Sequence, residues 1–123
     1  MNIYFVRHGQ TDHNKGLVFD DTNIGLNTVG LRQADLLAKR LKNYNIQRIY
    51  TSDLKRTMQT AEAISTQSSA LVTVDSNLRE IDLGEWASVD SETPKITHRE
   101  YYEEWSKHLT DMPYPSGECA PTW

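Results

Sequence analysis

The sequence is poor in the features that mark secreted, membrane and nucleic-acid-binding proteins. Its 123 residues include a single cysteine, Cys119, which cannot form a disulfide within the chain. No apolar run approaches the roughly 20 residues of a membrane-spanning helix. No basic segment followed by an apolar one marks a signal peptide. The net charge is −4 and there is no basic block, which argues against nucleic-acid binding. We therefore expect a soluble cytoplasmic protein that binds neither membranes nor nucleic acid.

What the sequence does contain is an alternation of strand-like and helix-like segments. Short β-branched and aromatic runs predict strands over residues 2–6, 46–50 and 71–74. Between them lie segments whose apolar residues recur at helical spacing. The order strand, helix, strand, helix, strand is typical of a parallel α/β sheet.

Three helices are predicted from apolar residues at helical spacing. The first begins near Asn27 or Thr28, and the second begins with Ser52 as its N-cap. The third covers about 97–109, because Thr97 and Glu100 have the spacing of a capping box. The apolar stripes are, in order, Ala34, Leu37, Ala38 and Leu41; Leu54, Met58, Ala61 and Ile64; and Tyr101, Tyr102, Trp105 and Leu109. Trp86 is predicted to be a packing residue.

Residues that follow the predicted strands indicate a site for an anion. The carboxyl ends of parallel strands share one edge of the sheet, where ligands bind. Arg7 and His8 follow the first strand, and Arg56 lies near the start of the second helix. Guanidinium groups and a helix N-terminus both suit phosphate oxygens. Asn14 can donate a further hydrogen bond.

His8 and Glu80 are the candidate chemical groups of this site. Positive charge nearby favours a neutral, nucleophilic imidazole, which predicts a phosphohistidine on His8. Glu80 follows the third strand, where a carboxyl group can protonate the departing alcohol and then activate water. Taken singly, these residues have ordinary interpretations as a core histidine and an exposed carboxylate. Arg79 is equally well an ion-pair partner or a ligand contact. Their shared position at one sheet edge favours a site.

Four blocks of the sequence carry a resemblance to a known family. In chain order they are YFVRHGQTDHN, NIGLNTVGLRQADLLAKRL, IYTSDLKRTMQTAEAI and LREIDLGEW. Together they resemble the histidine phosphatase superfamily, the phosphoglycerate mutase-like proteins. The resemblance implies a three-layer fold, with helices on both faces of a mainly parallel sheet.

The same resemblance implies roles for particular residues. It makes His8 the phosphorylated nucleophile and Glu80 the proton donor. The phosphate-binding residues that it implies are Arg7, Asn14, Arg56 and Thr11. It implies no metal or other cofactor, and a small phosphorylated metabolite as the substrate.

Two details of the sequence favour phosphomonoester hydrolysis over mutase activity. The stretch from Glu80 to Gly117 is short, and QTDHN stands where the mutases read ESEWN. Cofactor-dependent phosphoglycerate mutase-type transfer is one alternative. A phosphate-binding protein or fragment without turnover is the other.

The family resemblance also predicts an incomplete domain. The family continues beyond the block that PSGE (115–118) matches, with an interior strand that ends in a second catalytic histidine. We expect a single domain over 1–123 that lacks this portion, is truncated, and turns over poorly or not at all. Loss of one preorganised donor costs about 3–4 kcal/mol of transition-state stabilisation. We also expect the strand at 2–6 to have an exposed edge, which a partner such as a second copy of the chain covers.

Overall fold

The computed structural model describes residues 1–13, 23–87 and 89–120. These residues fall into two compact units. Within the described part, the first unit contains residues 1–12 and 23–79, and the second contains residue 13 with 80–87 and 89–120. A single domain over 1–123 stays a prediction.

The first helix of the first unit, α1, spans Thr28–Leu41 and begins where the sequence provides a cap. The Oδ1 of Asn27 accepts a hydrogen bond from the Gly30 N–H at 2.8 Å. This satisfies one of the amide groups that a helix N-terminus leaves without a helical partner. The predicted start of the helix is confirmed. So is its apolar face, whose buried members are Ala34, Ala38 and Leu41.

Two parallel strands form the sheet of this unit. Strand β1 is Arg48–Thr51 and strand β2 is Leu71–Val74, with Arg48 opposite Leu71 and Thr51 opposite Val74. Helix α2, Lys55–Ser68, connects the strands and packs on both, because parallel neighbours need a crossover. The strand predicted at 71–74 is confirmed, and the one predicted at 46–50 begins two residues later and ends one residue later. The core consists of Ala38, Leu41 and Ile64, with Leu37, Ile49 and Ala63 packed against it.

Helix α2 begins later than the sequence predicts. Leu54 has extended backbone angles (φ −69°, ψ 136°) and occupies the N-cap position without a side-chain cap. The predicted cap, Ser52, is wrong: its hydroxyl bonds the hydroxyl of Thr57 at 2.8 Å. A neighbouring hydroxyl therefore competes successfully with the helix amide groups for Ser52. Of the predicted apolar stripe, Leu54, Ala61 and Ile64 are buried, whereas Met58 is 42% exposed.

The predicted strand at residues 2–6 is wrong. Within the described part of the chain, no backbone hydrogen bond pairs this segment with a strand. Ile3 is 68% exposed and Phe5 97% exposed, while Tyr4 contacts Tyr44 edge-on, with ring centroids 5.3 Å apart. A strand needs a partner for its amide and carbonyl groups, and β1 and β2 pair with each other. The predicted three-stranded sheet therefore has two strands in the described residues.

The second unit is built around Trp86, which is 1% exposed. Among the described residues, four Tyr and Trp rings have their centroids within 6.2 Å of its indole: Tyr101, Tyr102, Trp105 and Tyr114. Most of these pairs are edge-to-face, the arrangement that ring quadrupoles favour. Packing is thus confirmed as the role of Trp86.

The helix predicted over 97–109 is two shorter helices. Helix α3 is Thr93–Thr97 and helix α4 is Arg99–Trp105, separated by the non-helical angles of His98 (φ −123°, ψ 38°). The predicted capping box is wrong, because the Thr97 hydroxyl donates to the Thr93 carbonyl at 2.9 Å inside the preceding helix. Leu109 lies beyond α4 and is 44% exposed.

Candidate functional site

His8 lies half-buried at the end of the N-terminal segment. Its Nδ1 is 2.7 Å from the carbonyl oxygen of Gly9. Because a carbonyl oxygen can only accept, Nδ1 carries the proton of this hydrogen bond. In the neutral ring, the lone pair is then on Nε2. His8 therefore presents Nε2 as the nitrogen that can attack an electrophile.

A second set of contacts joins the His8 loop to helix α2. The Gly9 N–H donates a long hydrogen bond of 3.4 Å to the Thr60 hydroxyl. That hydroxyl donates in turn to the carbonyl oxygen of Arg56 at 2.9 Å. Arg56 is the second residue of α2 and only 2% exposed. These bonds hold Gly9, the residue after His8, against the turn of α2 that begins at Arg56.

Helix α1 holds the other side of the loop through Gln10. The Gln10 N–H donates to Gln33 Oε1 at 2.8 Å, and the Gln10 carbonyl accepts from the Asn27 N–H at 3.0 Å. The side chain of Asn27 also donates to Gln10 Oε1 at 3.1 Å. A Cβ on Gly30 would lie 2.0 Å from the Gln10 carbonyl oxygen. Glycine is therefore required there for the loop to approach the helix.

An open recess of about 200 Å³ lies beside His8 within the first unit. This is smaller than the roughly 300–1,000 Å³ of pockets for drug-sized ligands, and it suits a small group. The lining residues are Arg7, His8 and Gly9 of the N-terminal segment, Gln33, Ala34 and Leu37 of α1, and Thr60 of α2. The structure thus brings Arg7 and His8 together at one recess, and Arg56 is connected to the same loop through Thr60.

The remaining predicted site residues occupy different parts of the chain. Thr11 belongs to the first unit and is fully buried. Glu80 is exposed and is the first residue of the second unit after Arg79. Asn14 lies outside the described residues. Their catalytic or phosphate-binding roles stay predictions.

Arg79 forms an ion pair, one of the two roles considered for it. Its Nε and NH2 groups donate to the two carboxylate oxygens of Asp53. The Arg79 hydrogen bond holds the pKa of Asp53 below its usual range. A two-point contact of this kind fixes the orientation of both groups. The pair ties the segment directly before Glu80 to the loop that precedes α2.

Gln33 and Thr60 are supporting residues that the sequence analysis did not single out. Thr60 follows Arg56 by four residues, and Gln33 follows Gly30 by three, so each pair shares a helix face. This spacing was visible in the sequence. The backbone amide groups that their side chains contact depend on how the loop folds back on both helices, which spacing does not show.

Two structural features are absent from the described residues. Among them, no helix is long and apolar enough to cross a membrane. No group of three or more His, Cys, Asp or Glu side chains is placed to hold a metal ion in this part of the chain.

A parallel β-α-β arrangement with a histidine in a small recess defines the class as an α/β protein. The chain belongs to the histidine phosphatase superfamily, branch 1, whose family model matches residues 3–122. The resemblance found in the four sequence blocks is thereby confirmed.

A curated relative and two solved structures show how far the similarity extends. A Yersinia pestis protein named "Probable phosphoglycerate mutase GpmB" is 35% identical over 114 residues, covering 90% of this chain and 50% of that protein. A mycobacterial glucosyl-3-phosphoglycerate phosphatase, solved with VO3, is 30% identical with a TM-score of 0.76; 91% of this chain and 54% of that one are covered. For the Shigella flexneri alpha-ribazole phosphatase, the TM-score is 0.82 at 24% identity, with coverages of 93% and 57%.

These comparisons confirm the phosphoglycerate mutase-like α/β fold class. They also show that the chain spans about half the length of the relatives that it matches. Its similarity is to phosphatases and mutases, which supports an enzyme of this family.

Proposed function

We propose that this chain carries the nucleophile of a phosphomonoester hydrolase that works through a phosphohistidine on His8. The observation that carries the proposal is the hydrogen bond from His8 Nδ1 to the Gly9 carbonyl. It leaves the Nε2 lone pair for attack on phosphorus. The recess beside His8 gives a phosphoryl group a place to bind.

The reaction takes two steps. In the first, Nε2 of His8 forms a bond to phosphorus while the ester P–O bond breaks. The proposed acid, Glu80, gives its proton to the departing alkoxide, which leaves as an alcohol. In the second step, Glu80 takes a proton from water, and the resulting hydroxide attacks phosphorus and breaks the P–N bond. Inorganic phosphate and free His8 result.

Two arginines are the proposed phosphate ligands. Arg7 lines the recess with His8, and Arg56 is buried on α2. A guanidinium group gains most from a charge-assisted contact where water is excluded, so phosphate near Arg56 is stabilised strongly. Thr11 and Asn14 complete the proposed set. The substrate class is a small phosphorylated metabolite, and we propose the cytoplasm as the place of action.

Mutase-type phosphoryl transfer is the second candidate. It is favoured by the relative named as a phosphoglycerate mutase, at 35% identity. Hydrolysis is favoured by the mycobacterial phosphatase structure, at 30% identity. Both reactions use the same phosphohistidine. They differ in whether water or a second hydroxyl of a substrate accepts the phosphoryl group.

Phosphate binding without turnover is a third candidate. The buried Arg56 and the recess beside His8 support an anion site that does not depend on Glu80. In that case phosphate raises the melting temperature, while a panel of phosphomonoesters stays intact.

A hydrolysis assay on the full chain separates these candidates. We expect slow release of inorganic phosphate from small phosphomonoesters, in keeping with an incomplete domain, and we expect it to be lost in His8→Ala and kept in the control His108→Ala. His108 is an exposed residue of the second unit, and its Nε2 lies 3.3 Å from Oε1 of Glu104. Equal rates above background in the wild type and His8→Ala would exclude the phosphohistidine mechanism. Transfer to phosphoglycerate in place of water would favour the mutase.

A further inference from the structure

One peptide group links His8 to helix α1. Its carbonyl half, from Gly9, accepts the His8 Nδ1–H at 2.7 Å. Its amide half, from Gln10, donates to Gln33 Oε1 at 2.8 Å. Because a peptide group is planar and rigid, the direction of one bond determines the direction of the other. The imidazole of His8 and the side-chain oxygen of Gln33 therefore bind to opposite edges of one peptide group.

The position of this peptide group needs external support. Gly9 has no Cβ, so rotation of the peptide plane meets little steric resistance from its own side chain. Packing limits the loop from the α1 side, since a Cβ on Gly9 would lie 2.4 Å from the Gly30 carbonyl oxygen. The Gln33 contact is the bond that holds the amide half of the plane in its observed direction.

This direction matters for the chemistry of His8. An imidazole without a partner at Nδ1 carries its proton mainly on Nε2, and that form has no lone pair for attack there. An accepting carbonyl at Nδ1 reverses the preference. Hydrogen bonds in series also polarise one another. When Gln33 accepts the Gln10 N–H, the Gly9 carbonyl becomes a stronger acceptor for the His8 Nδ1–H.

We propose that Gln33 is a positioning residue that fixes the tautomer of His8 through the Gly9–Gln10 peptide group. The side chain reaches the loop from α1, whose first turn is joined to Gln10 by Asn27. Its consequence for turnover rests on the proposed function, whereas the tautomer itself does not. In this positioning role Gln33 acts through His8, although its side chain also lines the recess.

Two variants of Gln33 test the role of its oxygen. Gln33→Met keeps the length of the side chain and removes the acceptor, whereas Gln33→Glu keeps an acceptor at the same position. Gln59→Met is the matched control. Gln59 Oε1 accepts from the Leu26 N–H at 2.7 Å, a glutamine-to-backbone bond of the same kind elsewhere in the first unit.

Nitrogen-15 spectra of the His8 ring in the full chain, above neutral pH, report the tautomer directly. We expect the Nδ1–H form in the wild type, in Gln33→Glu and in Gln59→Met, and a shift towards the Nε2–H form in Gln33→Met. Backbone amide spectra verify that each variant is folded. A wild type with the proton on Nε2, or a folded Gln33→Met with an unchanged ring spectrum, would overturn the proposal.

Kinetics separate this proposal from the proposed function. If the chain hydrolyses phosphomonoesters, Gln33→Met should lower kcat by about 10- to 100-fold, the size of orientation effects from supporting shells. Because Gln33 also lines the recess proposed for the phosphoryl group, the diagnostic result is the loss of kcat at saturating substrate, whatever the change in KM. A chain without turnover that shows the tautomer shift contradicts only the proposed function. Normal turnover with normal kcat in Gln33→Met contradicts only the positioning role.

Discussion

The imidazole of His8 is held by a carbonyl from the adjacent residue, a contact that local geometry alone makes available. What makes this contact specific is its surroundings. Thr60 accepts the Gly9 N–H and Gln33 accepts the Gln10 N–H, so two helices fix two successive amide groups. At the residue scale, the imidazole of His8 is oriented by backbone groups whose directions are determined from outside the loop.

Close approach of the loop to α1 gives a prediction for Gly30. In an ordinary helix, Gly→Ala stabilises by up to about 1 kcal/mol. Here the added Cβ would meet the Gln10 carbonyl oxygen at 2.0 Å. We therefore expect Gly30→Ala to lower the free energy of unfolding by about 1–3 kcal/mol, as overpacking does. Urea unfolding of the wild type and the variant measures this loss of stability.

Gly25→Ala is the control for this change. Its Cβ would meet the ends of the Gln59 and Lys55 side chains at 3.0–3.2 Å, and flexible side chains can move aside. We expect Gly25→Ala to lower the free energy of unfolding by less than Gly30→Ala does. Stabilisation by Gly30→Ala would show that the loop does not pack on α1 as described.

At the scale of elements, sequence reasoning succeeded where structure is determined locally. Asn27 caps α1 through its own side chain, and β2 forms over the predicted residues. Prediction from the sequence failed where residues distant along the chain determine the local structure. Residues 2–6 have strand-forming side chains but no strand beside them in the described chain. Ser52 bonds Thr57 in preference to the helix amides.

The same limit applies to the candidate site. Arg7 and His8 adjoin in sequence, so their shared recess was predictable. The contributions of Gln33 and Thr60 were not, because they depend on how α1 and α2 pack around the loop. The division of the third predicted helix at His98 likewise depends on the backbone angles of one residue.

The ion pair between Asp53 and Arg79 predicts a dependence of stability on pH. Arg79 lowers the pKa of Asp53 in the folded chain. The pair therefore stabilises fully above the unfolded carboxyl pKa of about 4, and this contribution is lost as pH falls through the lower folded value. We expect Asp53→Asn to be less stable than the wild type at neutral pH, with the difference vanishing in acid.

Denaturant unfolding at neutral and acidic pH checks this prediction. Asp35→Asn is the control, because Asp35 forms an exposed single contact with Lys39 one turn along α1. Such surface pairs contribute little, so its effect should be smaller. A difference between wild type and Asp53→Asn that does not change with pH would contradict the assigned cause.

At the scale of the whole molecule, the chain spans about half the length of its relatives and exposes apolar side chains at its N-terminal segment. Ile3 and Phe5 project into solvent, and no strand among the described residues pairs with the backbone of this segment. Exposed apolar patches of this kind mark interaction surfaces. We propose that a second copy of the chain covers this segment.

Sedimentation velocity over a range of concentrations tests the proposed association. The wild type should show a dimer that Phe5→Asp abolishes, since a charge at this position disfavours apolar contact. Folding should be little affected, because Phe5 is 97% exposed. Ile96→Asp, at a residue 79% exposed in the second unit, should leave the dimer intact. A compact wild-type monomer at all concentrations would contradict the proposal.

Covalent trapping of phosphate tests the central claim most directly. The chain is mixed with a radiolabelled phosphomonoester, quenched in alkali to preserve phosphohistidine, digested and analysed by mass spectrometry. The tautomer of His8 predicts phosphate on its Nε2, with no label in His8→Ala and normal label in His108→Ala. Label on another residue, or phosphate release from substrate with no phosphohistidine at His8, would contradict the account.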